Sequence, residues 1–496
     1  MKLSFFYKTM LFTALFFTAI HLFLRLKLLF IFDSDIGGIE IYPVSIIQQL
    51  MSGIPLYNDP EIVPFRVVQL MPLYYKTLAF IGNLLQLDPN EPYQIYVLSR
   101  SFSMLCNIFS LFIFYKIMEK YFSIDRVLAA AISIFFFLFY RELYYSRSDS
   151  LYLLFHILTL HYFFYFLKNE QKKHLILASI FGMFALFSKQ TGAMVFAYMA
   201  TVFFIEKKWK NLFFLCLSFA FLFPIYFQIF IGFENIYFWY KNNILGLRTG
   251  FDPSFYILMI KYRGSFYLFG WLILSFFMFK KYFFTTKIFE KSLIIGLCVA
   301  FIFTIVTGAK GGASFNHWTE LWIFTLLLLA IYFSQNSLLQ KSKIAVLIIY
   351  SLFLFSEITT TYALYSSIFT ARKWRTDEPA RYESQRKVAN FIKNELKIKE
   401  NEYVYTTFRD FLDLFLLKNT CAIHKDMVDY LYTPKTFLYP DLFPKLQAKA
   451  AKYVITSKQI PSEFEMDTTI IDTLNYKKII TIDDDYTIFE VLKPKE

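Results

Sequence analysis

The sequence predicts an α-helical polytopic membrane protein with about eleven transmembrane helices and a soluble C-terminal α/β domain. Three observations lead there. The 496 residues are 57% hydrophobic and 21% aromatic, with a mean hydropathy of +0.44, well beyond a soluble globular chain. The 64 phenylalanines gather in runs such as 134–140 and 213–223, inside uncharged stretches of about 20 residues, the length that crosses hydrocarbon. After residue 366 the composition turns to mixed charged and apolar residues.

Windows of about 19 residues place spans near 9–32, 99–117, 127–143, 149–167, 174–188, 192–205, 211–232, 264–279, 291–308, 318–334 and 344–363. The first follows Lys2 and Lys8, runs past signal-peptide length and has no A-x-A cleavage site, so it is expected to be retained. With the N-terminus in the cytoplasm, every inner loop is basic: Lys116, Lys120 and Arg126; Lys168, Lys172 and Lys173; Lys207, Lys208 and Lys210; Lys280, Lys281, Lys287 and Lys291; Lys341 and Lys343. An odd number of spans then exports the C-terminus. The net charge of +13 is spent in these short clusters and not on one basic face, so nucleic acid is not an expected partner. Cys106, Cys216 and Cys298 lie in apolar spans and Cys421 stands alone, which gives neither a disulfide framework nor a metal-binding pair.

Two domains are expected: a transmembrane domain over 1–365 with a long outward first loop at 33–98, and a soluble extracytoplasmic α/β domain over 366–496. A second long outward segment covers roughly 233–263, and loops of such length are usually functional. Within the first loop, 45–51 and 74–87 are apolar but too short to cross, so they are expected to lie along the outer surface as amphipathic helices. The C-terminal domain shows helical patterning at 384–396 and strand-like runs at 403–407 and 453–456. It ends in a hairpin of 478–482, a turn at 483–485, and 486–492.

Ionisable residues at membrane depth are costly, so their collection on one side points to a site. The first span ends in Asp33-Ser34-Asp35-Ile36-Gly37-Gly38-Ile39-Glu40, whose carboxylates suit a general base or a cation ligand, or a solvated loop with capping acids. Between the third and fourth spans stand Arg147-Ser148-Asp149. Asp149 is placed to cap the fourth span; Arg147 is placed either to hold a phosphate or to pair with Asp149. Ser188-Lys189-Gln190-Thr191-Gly192 leaves one ammonium between two apolar helices, as a lipid-phosphate ligand or a snorkelling lysine. In Lys310-Gly311-Gly312-Ala313-Ser314-Phe315-Asn316-His317-Trp318-Thr319-Glu320, glycines beside a lysine can present amides to a phosphate, and His317 and Glu320 are spaced to face one cavity. Arg25, Lys27 and Glu357 are further charges inside spans, without an assigned role.

Taken together these segments resemble the polyprenyl-phosphate-dependent glycosyltransferases of the GT-C superfamily, in particular the protein O-mannosyltransferase and aminoarabinose transferase group. The acidic motif after the first span is followed by Gly53-Ile54-Pro55-Leu56-Tyr57 and Asn58-Asp59-Pro60. Next come Met71-Pro72-Leu73-Tyr74-Tyr75, with Met71 where the family has proline, and then Arg100-Ser101-Phe102-Ser103. Arg147-Ser148-Asp149, Lys189-Gln190-Thr191 and the Lys310 to Glu320 segment complete the order, with His317 replacing the usual tyrosine.

The resemblance implies that a first-loop acid, Asp35 or else Glu40, deprotonates the acceptor. It further implies that Arg147, Asp149, Lys189, Gln190, Lys310, Asn316, His317, Glu320 and Tyr75 bind the donor phosphate and substrate. The family's closely spaced acidic pair is stretched here. A single-displacement, inverting transfer is implied, with no cofactor required by the sequence and room for a divalent metal. The implied partners are a polyprenyl-phosphate sugar donor, an extracytoplasmic lipid, glycan or protein acceptor, and membrane lipids. The implied setting is a bacterial inner membrane, with the site and the C-terminal domain outside. A transporter or lipid flippase, or an O-antigen ligase-like enzyme, would share the setting; no inverted repeat supports the first, and motif order argues against the second.

Overall fold

In the computed structural model, the structure describes residues 3–32, 40–60, 64, 66, 68–139, 145–245, 272, 275, 287–308, 315–335, 343–369, 378–408, 410–420, 451–458 and 476–492. The chain is a mostly helical, multi-pass membrane protein. The membrane helices are α1 (Leu3–Leu29), α4 (Pro92–Phe122), α5 (Arg126–Phe139), α6 (Asp149–Asn169), α7 (Lys172–Ser188), α8 (Ala193–Ile205), α9 (Trp209–Phe230), α11 (Ile288–Gly308), α12 (Thr319–Gln335) and α13 (Lys343–Phe369). Among the described residues, α1, α4, α6, α9 and α11 are long and apolar enough to cross a membrane; α5, α8, α12 and α13 contribute shorter apolar stretches. Each predicted span thus meets a helix except the eighth, near 264–279, which lies outside the described residues.

Apolar composition alone does not say which helix is central. Burial does. Every residue of α12 from Thr319 to Ile331 is buried, the pattern of a helix surrounded on all sides. Helix α9 exposes Phe213, Leu217, Phe221, Ile225 and Ile229, a stripe at four-residue spacing that suits lipid. Helix α6 packs against α4 and α7, α1 against α5 and α13, and α11 against α12.

Two short helices occupy the first loop, α2 (Ile41–Met51) and α3 (Leu73–Leu84). Helix α3 meets the expectation of a surface helix: Leu73, Tyr74, Tyr75, Leu78, Ala79 and Gly82 are buried, whereas Phe80 and Leu84 are exposed. Helix α2 does not. Its residues 41–49 are all buried, because chain from the C-terminal part covers the side expected to face outward. Gln48 Nε2 donates to the Pro89 carbonyl at 2.7 Å and to the Leu414 carbonyl at 3.3 Å.

The C-terminal elements are α14 (Glu378–Asn394), β1 (Tyr403–Thr406), the single-turn α15 (Phe411–Phe415), β2 (Ala451–Ser457), β3 (Tyr476–Ile482) and β4 (Tyr486–Val491). The strands form one sheet in the order β1-β2-β4-β3, with β1 parallel to β2 and the other pairs antiparallel. The hairpin turns through Asp483 and Asp484, both at positive φ, the backbone that matches the twist of paired strands. This unit docks on the end of the bundle where α4 begins. Arg386 pairs with Glu91 at 2.6 Å, the Tyr382 hydroxyl donates to Glu91 at 3.1 Å, and Arg66 donates to the Leu417 carbonyl at 2.9 Å.

Candidate active site at one end of the bundle

The first polar cluster fixes the chain as it leaves α1. Glu40 and Arg100 are fully buried, and the guanidinium grips the carboxylate with two bonds, Nε to Oε1 at 3.1 Å and Nη2 to Oε2 at 2.8 Å. The Ser146 amide donates to Glu40 Oε1 at 2.7 Å, and Arg100 Nη1 donates to the carbonyls of Leu28 and Ile31. Arg100 therefore satisfies carbonyls that the end of α1 leaves without intrahelical donors. Both oxygens of the Glu40 carboxylate are thus engaged, Oε1 by Arg100 and the Ser146 amide and Oε2 by Arg100. Sequence reasoning placed Arg100 in a motif but did not pair it with Glu40.

The second cluster joins α6 to the end of α7. Lys189 Nζ lies 2.7 Å from Asp149 Oδ1, and Arg147 Nε lies 3.0 Å from Asp149 Oδ2. Both alternatives left open for Arg147 and Lys189 are thereby decided in part. Arg147 does pair with Asp149, and Lys189, only 6% exposed, does not snorkel to the surface. Asp149 sits in the first turn of α6, where the helix dipole favours its charge, but its oxygens go to the two cations, and the N-cap is Ser148.

Gly192 explains how Lys189 is held inward. Lys189 has extended backbone, ending α7, and a tight turn at Gln190–Gly192 starts the chain back into α8. A Cβ at Gly192 would stand 2.4 Å from the backbone of Ala185 and Leu186, so only glycine lets the turn close on α7.

A third group extends the site inward. The Tyr152 hydroxyl donates to Glu320 Oε1 across from α12, and lies 3.1 Å from His156 Nδ1. Lys189 Nζ lies 5.8 Å from the Tyr152 ring centre. Tyr152 thus links the lysine motif to the Glu320 motif, and sequence reasoning missed it, since a tyrosine in an aromatic-rich span carries no distinguishing signal.

Gln190 turns away from this group. Its Nε2 donates to the Gln69 carbonyl and, at 2.9 Å, to Asn243 Oδ1. Asn243 lies in a π-helical turn, Lys241–Leu245, following the five-residue helix α10 (Ile236–Tyr240). The same turn binds the first loop through Asn242 to the Val68 amide at 2.8 Å and Lys241 to Asp59 at 2.9 Å. The first loop and the segment that follows α9 are therefore tied together beside Lys189.

Tyr75 is fully buried, and among the described residues its hydroxyl finds no hydrogen-bond partner. Burial holds its phenol well above the ordinary range, so it remains a donor. His317 is half-buried in the turn Phe315–Trp318 before α12, and its carbonyl accepts from Thr304 at 3.2 Å. Asp35 and Lys310 lie outside the described residues, as does the side chain of Asn316. Of the unassigned charges, Arg25 and Glu357 face the interior while Lys27 is exposed. Among the described residues, no group of three or more His, Cys, Asp or Glu is placed to hold a metal.

These features define a class: a mostly helical, multi-pass membrane protein in which Glu40, Arg100, Asp149, Lys189 and Glu320 form buried polar clusters. Residues 97–231, from α4 through α9, match the family of dolichyl-phosphate-mannose-protein mannosyltransferases. That segment contains Arg100, Arg147, Asp149, Tyr152, Lys189 and Gln190. Among solved structures the chain is similar to ArnT from Cupriavidus metallidurans in the apo state, with a TM-score of 0.59 and 11% identity over 97% of this chain and 99% of that one. It is equally similar to the same protein bound to undecaprenyl phosphate, with a TM-score of 0.59, 12% identity and the same coverage. No curated protein matches the sequence.

Proposed function

We propose that this protein transfers a sugar from a polyprenyl-phosphate-linked donor to an extracytoplasmic lipid, glycan or protein acceptor, with inversion. The observation that carries the reading is the convergence of Lys189 and Arg147 on Asp149, inside the segment matched by the mannosyltransferase family. A relative of the same fold binds undecaprenyl phosphate, which supports a lipid phosphate as the ligand.

The chemistry needs a base at the acceptor hydroxyl and positive charge at the departing phosphate. Asp35 takes the hydroxyl proton, the acceptor oxygen attacks the anomeric carbon, and the bond from that carbon to the phosphate oxygen breaks. Lys189, Arg147 and Lys310 hold the phosphate that leaves; Tyr75 donates a hydrogen bond to substrate. Glu40 acts through Arg100 to hold the start of α2 to the end of α1. The proposed setting is a bacterial inner membrane with the site facing outward, a reading that the basic inner loops support.

The test is sugar release from a panel of radiolabelled polyprenyl-phosphate monosaccharides by purified protein, with cell-wall extract as acceptor. Wild type should consume one donor, and Asp35→Asn should spare it while remaining folded. Consumption of no donor, with labelled lipid crossing proteoliposome membranes instead, would replace transfer by flipping.

A further inference from the structure

The end of the bundle away from Lys189, where α4 and α6 finish and α7 begins, carries a second group of polar side chains. Lys120 of α4 reaches across to α6: its Nζ lies 4.1 Å from the centre of the Tyr165 ring and 5.6 Å from that of Tyr121. His174, in the first turn of α7, stands edge-on to Tyr165 at 4.1 Å, and His161 of α6 stands edge-on to Tyr121 at 5.5 Å. One ammonium and two imidazoles, from three helices, thus meet at two tyrosine rings.

No carboxylate answers them. The acids at this end are engaged elsewhere: Glu119 with Lys116 and Arg126, Glu170 with Lys208, Glu206 with Lys291 and Glu290 with Lys287, while Asp125 caps the start of α5. The sequence before α11, 280–287, and that between α12 and α13, 336–342, adds lysines and no acid. The Nδ1 atoms of His161 and His174 and the Tyr121 hydroxyl are enclosed and find no hydrogen-bond partner among the described residues. Buried polar atoms are ordinarily satisfied, so three orphans in one cluster call for a partner from outside the chain. Every protonation state of an imidazole keeps at least one N–H, and the phenol and the ammonium also donate. The missing partner is therefore an acceptor and, beside Lys120, an anion.

The surface leading to the cluster is apolar. Leu158, Tyr162 and Tyr165 form a partly exposed stripe on α6, bordered by Phe181 of α7, which stacks on Tyr162 at 5.3 Å. On α4, the exposed Phe112 precedes Lys116 and Lys120 at four-residue spacing. Apolar helix surface that ends in an unanswered cation matches one molecule, a lipid with hydrocarbon chains and an acidic headgroup. We propose that this cluster binds one anionic phospholipid, its phosphate on Lys120, His161 and His174 and its chains along α6. The site lies at the opposite end of α7 from Lys189 and does not depend on the transfer reading; in the orientation given above it faces the inner leaflet.

The test immobilises the full-length protein in detergent and displaces radiolabelled phosphatidylglycerol with unlabelled phosphatidylglycerol, phosphatidylcholine or inorganic phosphate at matched ionic strength. Wild type should hold about one phosphatidylglycerol, at least about tenfold more tightly than phosphatidylcholine, and inorganic phosphate should not displace it. Lys120→Met changes an exposed side chain and should weaken binding about 5- to 10-fold; His174→Phe keeps a ring beside Tyr165 and should do likewise. Lys207→Met/Lys210→Met takes two exposed charges from the same end outside the cluster and should change affinity less than about twofold. Equal displacement by phosphatidylcholine, or an equal loss in the Lys207/Lys210 control, would replace the site by general attraction to a basic surface. Unchanged affinity in Lys120→Met overturns it outright, and displacement by inorganic phosphate overturns the lipid as its occupant.

Discussion

Replacing Arg100 with methionine separates an anchoring Glu40 from a catalytic one. Both side chains of the pair are fully buried, so the substitution leaves an unpaired carboxylate with no water to solvate it and strips donors from the Leu28 and Ile31 carbonyls. Breaking one side of a buried pair costs about 3–5 kcal/mol, roughly a 100- to 5,000-fold fall in the folded-to-unfolded ratio. The double variant Glu40→Leu/Arg100→Met removes both charges and should recover part of that loss, giving a coupling of about 2–3 kcal/mol. Recovery stays incomplete because the Ser146 amide also loses its acceptor. Reversible denaturation in mixed micelles, monitored by circular dichroism, measures the cycle. Additive single effects, within about 0.5 kcal/mol, would refute the pairing. Loss of transfer in Glu40→Gln with unchanged stability would refute the anchor and return Glu40 to the role of base.

Three further outcomes follow from the site. Lys189→Met should weaken donor binding about 10- to 100-fold, the worth of a charge-assisted hydrogen bond, as read by lipid-phosphate titration. Gly192→Ala should destabilise the protein by about 1–3 kcal/mol in a melting experiment and weaken donor binding through the displaced lysine, because the new methyl collides with backbone and not with a movable side chain. Tyr75→Phe should leave the melting midpoint within about 1 °C, since the hydroxyl has no described partner to lose, but raise the donor KM.

The spans were legible because their signal is local: a run of phenylalanine, leucine and isoleucine between lysines reports its own length and burial. The final hairpin was legible for the same reason, its three aspartates lying between alternating strands. What stayed hidden depends on partners distant in sequence. Glu40 meets Arg100 across 60 positions, and Tyr152 meets Glu320 across 168. Neither has a periodicity that announces the other. The burial of α2 depends on Leu414, which is 366 residues from Gln48, so the apolar segment looked like a surface helix until its cover was known. For Lys189 the sequence showed a lysine with too little loop to solvate it, but not the Asp149 that makes its burial tolerable.

That last pair bears on how the proposed transfer would work. A lysine awaiting a phosphate inside a membrane protein must be stabilised before the ligand arrives, and Asp149 does so at 2.7 Å while holding Arg147 with its other oxygen. The carboxylate therefore fixes two cations at a spacing set by its own geometry, which is the preorganisation that makes electrostatic stabilisation effective. It also competes with the phosphate for both of them. The competition favours a ligand whose charge grows during the reaction: as the anomeric bond breaks, the phosphate gains negative charge, and its hold on Lys189 and Arg147 strengthens relative to that of Asp149. In the proposed reaction the cations would then bind the departing phosphate more tightly than the intact donor, so their stabilisation would act mainly on the transition state. Asp149→Asn should accordingly tighten ground-state donor binding and lower kcat, a split that loss of a purely structural residue would not produce.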